Sequence, residues 1–271
     1  MVLIRHPFLD GPFPRAFAHR GWHHGELAGM ENSLAAFRYA AAEGYRYLET
    51  DVRATRDGVV VVIHDATLDR TTDGSGEVEK LDWATVRTAR VGGREQVCQL
   101  ADLLEELPKA LFNIDVKADS AVAPVLELLR RTNGWHRVCL AAFSDARLRR
   151  LRKAAGSRLL TSMGPASAAR LRLRSVSPFP PMVQKSGAAP IRGALAQLPM
   201  RVCGIPVIDR ALLRHAHHRG LEVHVWTVNQ AAEMHALLDL GVDGVITDRP
   251  DVLRDVLRAR RAWPEDGRRC R

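Results

Sequence analysis

The sequence predicts a single parallel α/β barrel, and three observations support this prediction. Short runs of β-branched and aliphatic residues alternate along the chain with segments of helical periodicity, as in repeated βαβ units. The chain has 271 residues, a length at which such a barrel forms one domain. Side chains suited to catalysis stand at or just beyond the C-terminal ends of predicted strands, where parallel barrels carry their active sites.

Ten short apolar runs are predicted as strands, bounded by polar or glycine-containing segments. They are residues 16–19, 47–52, 59–64, 111–116, 138–142, 159–162, 182–184, 202–206, 221–227 and 244–247. An eight-stranded barrel needs fewer strands than this. We therefore expect the run 59–64 to be a genuine strand and some of the later runs to be loop or barrel rim.

Eight segments have the apolar spacing of amphipathic helices. They are residues 33–43, 83–89, 100–107, 121–131, 146–155, 166–172, 210–219 and 231–240. Asn32 is predicted to cap the first helix at its N-terminus. Glycine follows several of these segments where a helix C-cap belongs, namely Gly44, Gly156, Gly220 and Gly241.

Two segments interrupt the alternation of strands and helices. Residues 67–81 form a polar loop beside the predicted site, contain the sequence Thr-Thr-Asp-Gly-Ser-Gly and are a candidate lid. Residues 174–193 are rich in proline and are predicted to be irregular. Neither has the composition of a domain linker, so the sequence divides into an N-terminal extension (1–14), one barrel domain (15–257) and a basic C-terminal tail (258–271).

Composition excludes several classes of function. The formal net charge is +9, but arginine is spread along the chain without a nucleic-acid-binding motif, so no nucleic-acid partner is predicted. The basic tail is predicted to be solvated, with weak contact to an anionic membrane surface as a second interpretation. No apolar run reaches the ~20 residues that span a bilayer, and we expect no secretory signal in residues 1–15, which have no apolar block behind a basic start. Together with four scattered cysteines (Cys98, Cys139, Cys203 and Cys270), these features favour the cytoplasm.

The first two predicted strands carry an unusual density of chemically active groups. His19 and Arg20 end the first strand, and Glu49 and Asp51 lie in the second. Alternate residues of a strand share a face, so the two carboxylates can point together at one cation. Two acids, a base and a guanidinium on short apolar strands are typical of a metal-assisted phosphoryl-transfer site.

Later strands extend this constellation. His64 ends the third predicted strand, and Asp115 and Lys117 again stand two residues apart on the fourth. Three carboxylates without a cysteine favour a hard divalent cation such as Mg²⁺ or Ca²⁺. Trp226 ends a late strand, where it would shape a substrate pocket, with core packing as the alternative.

The chain resembles the glycerophosphodiester phosphodiesterase family, whose fold is the TIM (β/α)8 barrel. The resemblance covers nearly the whole chain, from about residue 16 to residue 256. It rests on separate motifs in the family's order: AHRG, ENSLAAF, GYRYLETDVRATRDGVVVVIHDATLDRTTDGSG, FNIDVK, VHVWTVN and GVDGVITDRP.

This resemblance implies a hydrolase that releases sn-glycerol 3-phosphate and an alcohol from deacylated phospholipids. It also implies that the glycerol 2-hydroxyl attacks first and that water then opens a cyclic phosphate. By the family's pattern, His19 and His64 would be the acid–base pair. Glu49, Asp51 and Asp115 would hold one divalent cation. Arg20 and Lys117 would bind phosphate, and Glu31 would support the site from outside.

The chain departs from the family in three places. Met30 and Ser33 replace the proline and threonine of the Pro-Glu-Asn-Thr motif. Asp115 replaces the glutamate of many relatives, which shortens that arm by one methylene and puts the metal preference in question. His23 and His24 follow the His-Arg-Gly motif without a role to transfer from the family.

Other interpretations remain open from sequence. Lys117 has a structural alternative as an ion-pair partner of the carboxylates, and Glu31 has one as an acid at a helix N-terminus. A lysophospholipase D would use the same chemistry, and an apolar groove at the barrel mouth would favour it. A silent relative that binds phospho-ligands, or a nucleic-acid or membrane module supported by charge alone, would be a non-enzymatic alternative.

Overall fold

Eight parallel strands form a nearly closed barrel in the computed structural model, which describes residues 6–176 and 193–264. The strands of these residues are β1 (Arg15–His19), β2 (Tyr47–Ala54), β3 (Val60–Val62), β4 (Arg90–Val91), β5 (Glu95–Gln96), β6 (Leu111–Val116), β7 (Val138–Ala141), β8 (Leu160–Thr161), β9 (Leu195–Pro199), β10 (Arg201–Val202), β11 (Ile205–Pro206), β12 (Glu222–Trp226) and β13 (Gly244–Thr247). Their order around the barrel is β8-β7-β6-β2-β1-β13-β12-β9. The predicted parallel barrel is confirmed.

The barrel closes between β8 and β9 by few hydrogen bonds. A single parallel bridge joins Ser162 to Leu195, supported by the Met163 amide donating to Leu195 over 2.8 Å and the Ala194 amide donating to Thr161 over 2.9 Å. Gly193 has φ +112°, and a Cβ there would lie 2.7 Å from the Ser162 carbonyl oxygen. Only glycine fits this seam without displacing backbone.

Helices surround the barrel and bury their apolar faces against its outer surface. They are α1 (Leu34–Ala42), α2 (Trp83–Val86), α3 (Leu100–Glu106), α4 (Val122–Arg131), α5 (Asp145–Ala155), α6 (Pro165–Ser175), α7 (Arg210–His217), α8 (Ala231–Leu240) and α9 (Pro250–Ala259). The largest apolar cluster lies between helices and strands, with Phe37, Phe112 and Leu212 fully buried. Burial of such side chains contributes about 1.5–3 kcal/mol each. No helix of the described ranges is long and apolar enough to cross a bilayer.

The N-terminal extension forms part of the barrel floor. Phe8 is fully buried and packs with Phe17 and Tyr47 inside the barrel. Tyr47 donates its hydroxyl hydrogen to the Phe8 carbonyl over 2.8 Å. Arg15 is 1% exposed and forms a two-bond ion pair with Glu222, both bonds 2.8 Å long.

Several local predictions differ from the structure. The predicted strand 202–206 is instead the exposed antiparallel pair β10 and β11, and the neighbouring barrel strand is β9, which was not predicted. The predicted helix 83–89 ends after one turn at Val86. The predicted strand 182–184 lies outside the described residues. The run 59–64 contains the genuine strand β3, which pairs antiparallel with β2 outside the barrel.

The C-terminal boundary also differs from expectation. Helix α9, absent from the prediction, runs to Ala259, and Trp263 is buried against Tyr45. Packed structure therefore continues beyond residue 257, where the predicted barrel domain ended. Residues 265–271 of the tail lie outside the described residues.

Candidate active site

A polar cavity of about 190 Å³ lies at the C-terminal ends of the barrel strands. This position follows from topology, because every parallel strand delivers its last residue to the same end of a barrel. The cavity is lined by eight residues predicted from sequence, namely His19, Arg20, Glu49, Asp51, His64, Asp115, Lys117 and Trp226. It also includes Asn113, Ala141, Phe143, Gln197, Thr227 and Ile246. Separate strands and loops thus converge on one site.

The three carboxylates occupy neighbouring strands in register. Asp51 of β2 pairs directly with Asp115 of β6, and Glu49 is opposite Asn113. All three acids are almost fully buried. A group of buried carboxylates is costly unless cations compensate their charge.

Two basic side chains supply part of that compensation. Lys117 Nζ lies 2.9 Å from Asp51 Oδ1 and 2.6 Å from Asp115 Oδ2, and Arg20 Nε lies 3.0 Å from Asp51 Oδ2. Burial alone would raise the pKa of Asp51, but the charges of Lys117 and Arg20 outweigh it and hold that pKa below its usual value. Asp51 is therefore ionised at neutral pH.

Glu49 is less well compensated than its neighbour. Burial, followed by the negative charge of Asp51, raises the pKa of Glu49 to about 8. Burial also raises the pKa of Asp115, despite its contact with Lys117. The site therefore carries more acidic groups than its own side chains can neutralise, and it would gain from an additional positive charge.

These side chains fit a divalent cation. Asp115 Oδ1 is buried and has no hydrogen-bond partner among the described residues. This oxygen is therefore available to coordinate a cation. Carboxylate oxygens on three neighbouring positions are the ligands that Mg²⁺ and Ca²⁺ prefer. Within residues 6–176 and 193–264, no three His, Cys, Asp or Glu side chains already converge as a metal centre. Lys117 lies between the two aspartates instead.

His19 is oriented by an aspartate that was not predicted. Its Nδ1 lies 2.5 Å from Asp248 Oδ1, and Asn229 Nδ2 donates to Asp248 Oδ2 over 3.1 Å. Burial raises the pKa of Asp248, but the hydrogen bond from His19 and the nearby His23, whose Nε2 lies 3.4 Å from Oδ1, outweigh it and hold the pKa far below its usual value. An ionised carboxylate can only accept, so the proton of His19 lies on Nδ1 and Nε2 remains for the substrate.

His64 is held in the same way by a different aspartate. Its Nδ1 lies 2.6 Å from Asp65 Oδ1. Hydrogen bonds from Arg70 are the main reason that the pKa of Asp65 is far below its usual value. Nδ1 is again the donor, and Nε2 is again left for proton transfer.

The loop predicted as a candidate lid is fastened to the site through Arg70. This residue donates to Asp65 and also to both oxygens of Glu31, over 3.0 and 2.7 Å. Glu31 in turn accepts from Arg20 Nη1 over 2.9 Å. Glu31 lies outside the cavity and contacts Arg20 and Arg70, and Arg70 was not among the predicted residues.

Asn32 does not cap the first helix, contrary to prediction. Ser33 is the N-cap, and its Oγ accepts from the Ala36 amide over 3.2 Å. Asn32 donates from Nδ2 to Asp51 Oδ2 over 3.1 Å and accepts from Thr50 Oγ1 over 2.9 Å. Its side chain therefore fixes a site carboxylate instead of a helix end.

A larger apolar pocket of about 590 Å³ adjoins the polar cavity. The two spaces share Ala141, Phe143, Gln197 and Trp226. Trp226 packs edge-on against Phe143, with ring centroids 5.6 Å apart. Trp226 therefore lines both pockets.

Replacement of Asp248 by asparagine should lower kcat by about 10- to 10²-fold, because the partner that fixes the ring and proton of His19 is weakened. Burial lowers the pKa of His19, but the charges of Glu49 and Asp248 raise it above its usual value. Loss of the Asp248 charge should move the His19 limb of the pH–rate profile to lower pH. Kinetics across pH would measure both effects.

A matched control for this prediction is Asp239→Asn, on the exposed end of α8. That variant should retain the wild-type rate and profile. An Asp248→Asn enzyme with unchanged kcat and an unchanged pH profile would contradict the orienting role.

Comparison with known proteins places this geometry in context. The family model described as "Glycerophosphoryl diester phosphodiesterase family" matches residues 19–252. A Mycobacterium tuberculosis protein named "Probable glycerophosphodiester phosphodiesterase 2" is 44% identical over 250 residues, which cover 92% of each chain. The human protein "Lysophospholipase D GDPD1" is 27% identical over 278 residues, covering 89% of this chain and 85% of the human one.

Solved structures share the architecture. The crystal structure of glycerophosphodiester phosphodiesterase from Agrobacterium tumefaciens superposes with a TM-score of 0.69 and 27% identity, and the match covers 88% of this chain and 98% of that one. The family-model match, over residues 19–252, includes every residue that lines the polar cavity.

Proposed function

The chain belongs to the glycerophosphoryl diester phosphodiesterase family, and we propose that it hydrolyses glycerophosphodiesters to sn-glycerol 3-phosphate and an alcohol by two-histidine acid–base catalysis. One observation carries the proposal. Two histidines, each oriented by its own aspartate, face three buried carboxylates in a single cavity. As a member of the family, the protein is a phosphoric diester hydrolase.

Proton transfer is the task of the two histidines. One histidine, neutral with its proton on Nδ1, accepts the proton of the attacking hydroxyl at Nε2. The other, protonated on both ring nitrogens, donates its Nε2 proton to the departing alkoxide, which is otherwise a poor leaving group. We propose the glycerol 2-hydroxyl as the first attacker, with water opening the cyclic phosphate afterwards. An attacker already attached to the substrate gains from proximity, which would explain a requirement for glycerol.

Charge neutralisation is the task of the remaining side chains. Enzymes of this family depend on a divalent cation, and Glu49, Asp51 and Asp115 would hold it here, as Mg²⁺ or Ca²⁺. The bound cation supplies Lewis-acid and template chemistry. Arg20 and Lys117 would bind the phosphate oxygens and balance the charge that develops on them.

The test is turnover of glycerophosphocholine and glycerophosphoethanolamine by the purified protein. We expect release of glycerol 3-phosphate that EDTA abolishes and that Mg²⁺ or Ca²⁺ restores. Glu49→Ala should lose turnover because it removes a ligand. Glu127→Ala, on the exposed face of α4, is the matched control and should behave like wild type.

Two results would count against parts of this proposal. A folded protein that binds cation but cleaves neither diester would favour a lysophospholipid substrate or a silent phospho-ligand-binding relative. A choline diester of propane-1,3-diol, which lacks the neighbouring hydroxyl, should resist cleavage. Equal turnover of that compound would exclude attack by the 2-hydroxyl.

A second candidate substrate is a lysophospholipid, and the apolar pocket favours it. A ligand with its phosphodiester in the polar cavity could extend an acyl chain past Trp226 into a space of about 590 Å³ with apolar walls. This volume is within the usual range of small-molecule pockets. Cleavage would then be of the lysophospholipase D type.

A substitution that fills the apolar pocket distinguishes cleavage of a lysophospholipid from cleavage of glycerophosphocholine. Ala169→Trp, on α6 in the pocket wall, should lower kcat/KM for a lysophospholipid by about tenfold or more while glycerophosphocholine is still cleaved. Ala154→Trp, on the exposed side of α5, controls for the added bulk. Equal losses on both substrates, or on neither, would argue against an acyl site here.

We also propose a cytoplasmic location and a weak contact of the basic tail with an anionic membrane surface, both from the composition of the sequence. The arginines at the end of that tail lie outside the described residues.

A further inference from the structure

Arginine occurs along the whole chain, but the excess of positive over negative charge is concentrated in one stretch. Between Ala146 and Ile208 the sequence contains twelve lysine and arginine residues and no aspartate or glutamate. The formal net charge of the whole chain is +9, so this stretch accounts for more than the entire excess. It supplies most of α5, all of α6 and strands β8 to β11, and residues of α6 and of β9 to β11 line the apolar pocket.

Exposed apolar side chains stand in the same sector, at the mouth of the barrel. Ile205 is 69% exposed, Val202 53% and Phe143 65%. Val202 and Ile205 face each other in the β10–β11 hairpin, which follows the C-terminal end of β9, and Phe143 follows the end of β7. We call Phe143, Arg201, Val202 and Ile205 the mouth patch.

The hairpin of the mouth patch and the helix that follows it carry exposed arginines. Arg201 is exposed, with Nη1 bonded to the Gly204 carbonyl in the hairpin turn, and Arg210 is exposed at the start of α7. The acids that flank the basic stretch are engaged. Asp145 accepts from the Ala166 amide over 3.0 Å, and Asp209 accepts from the Leu212 amide and pairs with Arg172.

Apolar side chains on a basic rim match one kind of partner. Exposed apolar groups with a polar surround mark interaction surfaces. A nucleic acid would use the arginines but gain nothing from isoleucine and valine at a hairpin tip. A bilayer of anionic phospholipids uses both, because headgroups attract the arginines and the interfacial region accepts the apolar side chains.

We propose that the mouth patch docks the protein on the surface of an anionic phospholipid bilayer, with the barrel mouth turned toward the headgroups. The two adjoining pockets open at this end of the barrel. Docking would let a substrate pass between the membrane and the cavity without crossing bulk water. The mouth patch contains no residue of the basic tail, and its binding to a bilayer does not depend on which diester is cleaved.

Vesicle flotation with the full chain tests the proposal without any turnover. We expect binding to vesicles of phosphatidylglycerol mixed with phosphatidylcholine, much weaker binding to phosphatidylcholine alone, and loss of binding at high salt. Arg201→Glu changes the net charge by two units. Each unit of charge near an anionic surface changes the affinity about fivefold, so this variant should bind the vesicles about 25-fold more weakly. Ile205→Ser should weaken it about five- to tenfold.

Arg131→Glu is the matched control because it changes net charge equally. It is exposed at the C-terminal end of α4, at the opposite end of the barrel from the mouth, and should bind vesicles as wild type does. All three sites are exposed, and an unchanged thermal unfolding midpoint would verify each fold.

Several results would overturn the proposal. Equal weakening by Arg131→Glu and Arg201→Glu would mean that net charge alone attracts the protein. Failure to float with anionic vesicles, or no effect of Ile205→Ser, would remove the bilayer as partner. Binding of duplex DNA with the same dependence on Arg201 and Ile205, or a dimer disrupted by Ile205→Ser, would reassign the patch to that partner.

Discussion

Replacement of His64 by alanine should lower kcat for glycerophosphocholine by about 10²–10⁴-fold, the usual contribution of one positioned acid or base. The structure explains why the loss should fall on kcat. Asp65 holds His64 through Nδ1 and is itself held by Arg70. Nε2 of His64 is therefore free to transfer a proton during the reaction. His19, held by Asp248, should show a loss of similar size.

The two histidines can be told apart by the leaving group. A glycerophosphodiester of p-nitrophenol needs no general acid, because p-nitrophenolate departs without a proton. The variant that lacks the acid should therefore recover much of its rate on this diester, and the variant that lacks the base should not. Steady-state kinetics of both variants on both substrates makes the assignment.

His218→Ala is the matched control for these variants. His218 is exposed just after α7, and its removal should leave kcat unchanged. If His19→Ala and His64→Ala both retained wild-type kcat on glycerophosphocholine, two-histidine catalysis would be excluded. Identical losses on both diesters would mean that neither histidine protonates the leaving group.

Replacement of Arg15 by methionine should lower the free energy of unfolding by about 3–5 kcal/mol, the cost of breaking one side of a buried ion pair. Arg15 donates to both oxygens of Glu222, to the Tyr47 hydroxyl and to backbone carbonyls of Leu9 and Gly11. The substitution leaves a buried carboxylate without its guanidinium and detaches the N-terminal extension from the barrel floor. Urea unfolding would measure the loss.

The pH dependence of this loss has a definite sign. Burial raises the pKa of Glu222, but hydrogen bonds from His224 and Arg15 outweigh it and hold the pKa far below its usual value. The unfolded carboxyl titrates near 4.3, so the stabilisation is fully present above that pH and fades as the pH falls toward the folded pKa. The gap between wild type and Arg15→Met should narrow in acid.

A double variant, Arg15→Met with Glu222→Met, tests the ion-pair explanation. Removal of both charges should recover much of the stability, because a buried pair replaced by apolar groups is often neutral. Arg38→Met, at an exposed ion pair with Glu106, should cost at most about 1 kcal/mol. A double variant no more stable than Arg15→Met would locate the cost in the backbone contacts of Arg15.

Most of the barrel was predictable because its strands are short apolar runs with charged ends. Residues 47–52 and 111–116 combine apolar alternation with carboxylates, and the structure places them side by side. Strand β9 escaped prediction because Pro199 ends it. The neighbouring residues Val202 and Ile205 have stronger β propensity, yet they form an exposed hairpin.

Helix α9 could have been found from the sequence. Pro250 stands at its first turn, and Val252, Leu253, Val256 and Leu257 follow at helical spacing. The predicted barrel domain ended at residue 257, before the end of this helix, because the residues that follow are rich in arginine.

The aspartates that orient the histidines were harder to find. Asp65 is adjacent to His64 in sequence, but Asp248 lies 229 positions from His19. Strands β1 and β13 bring these two residues together as barrel neighbours. Such a pair has no local signal, since only closure of the sheet makes it.

The pairing of β1 with β13 affects how this protein folds during its synthesis. His19, at the end of β1, leaves the ribosome 229 residues before Asp248, which directly follows β13, a delay of roughly 10–50 s at ordinary rates of elongation. Throughout that time the first strand has an open edge, which invites pairing with other nascent chains. The barrel, and with it the Asp248–His19 pair, can be assembled only when translation is nearly finished, so yield in the cell should depend on chaperones that shield the early strands.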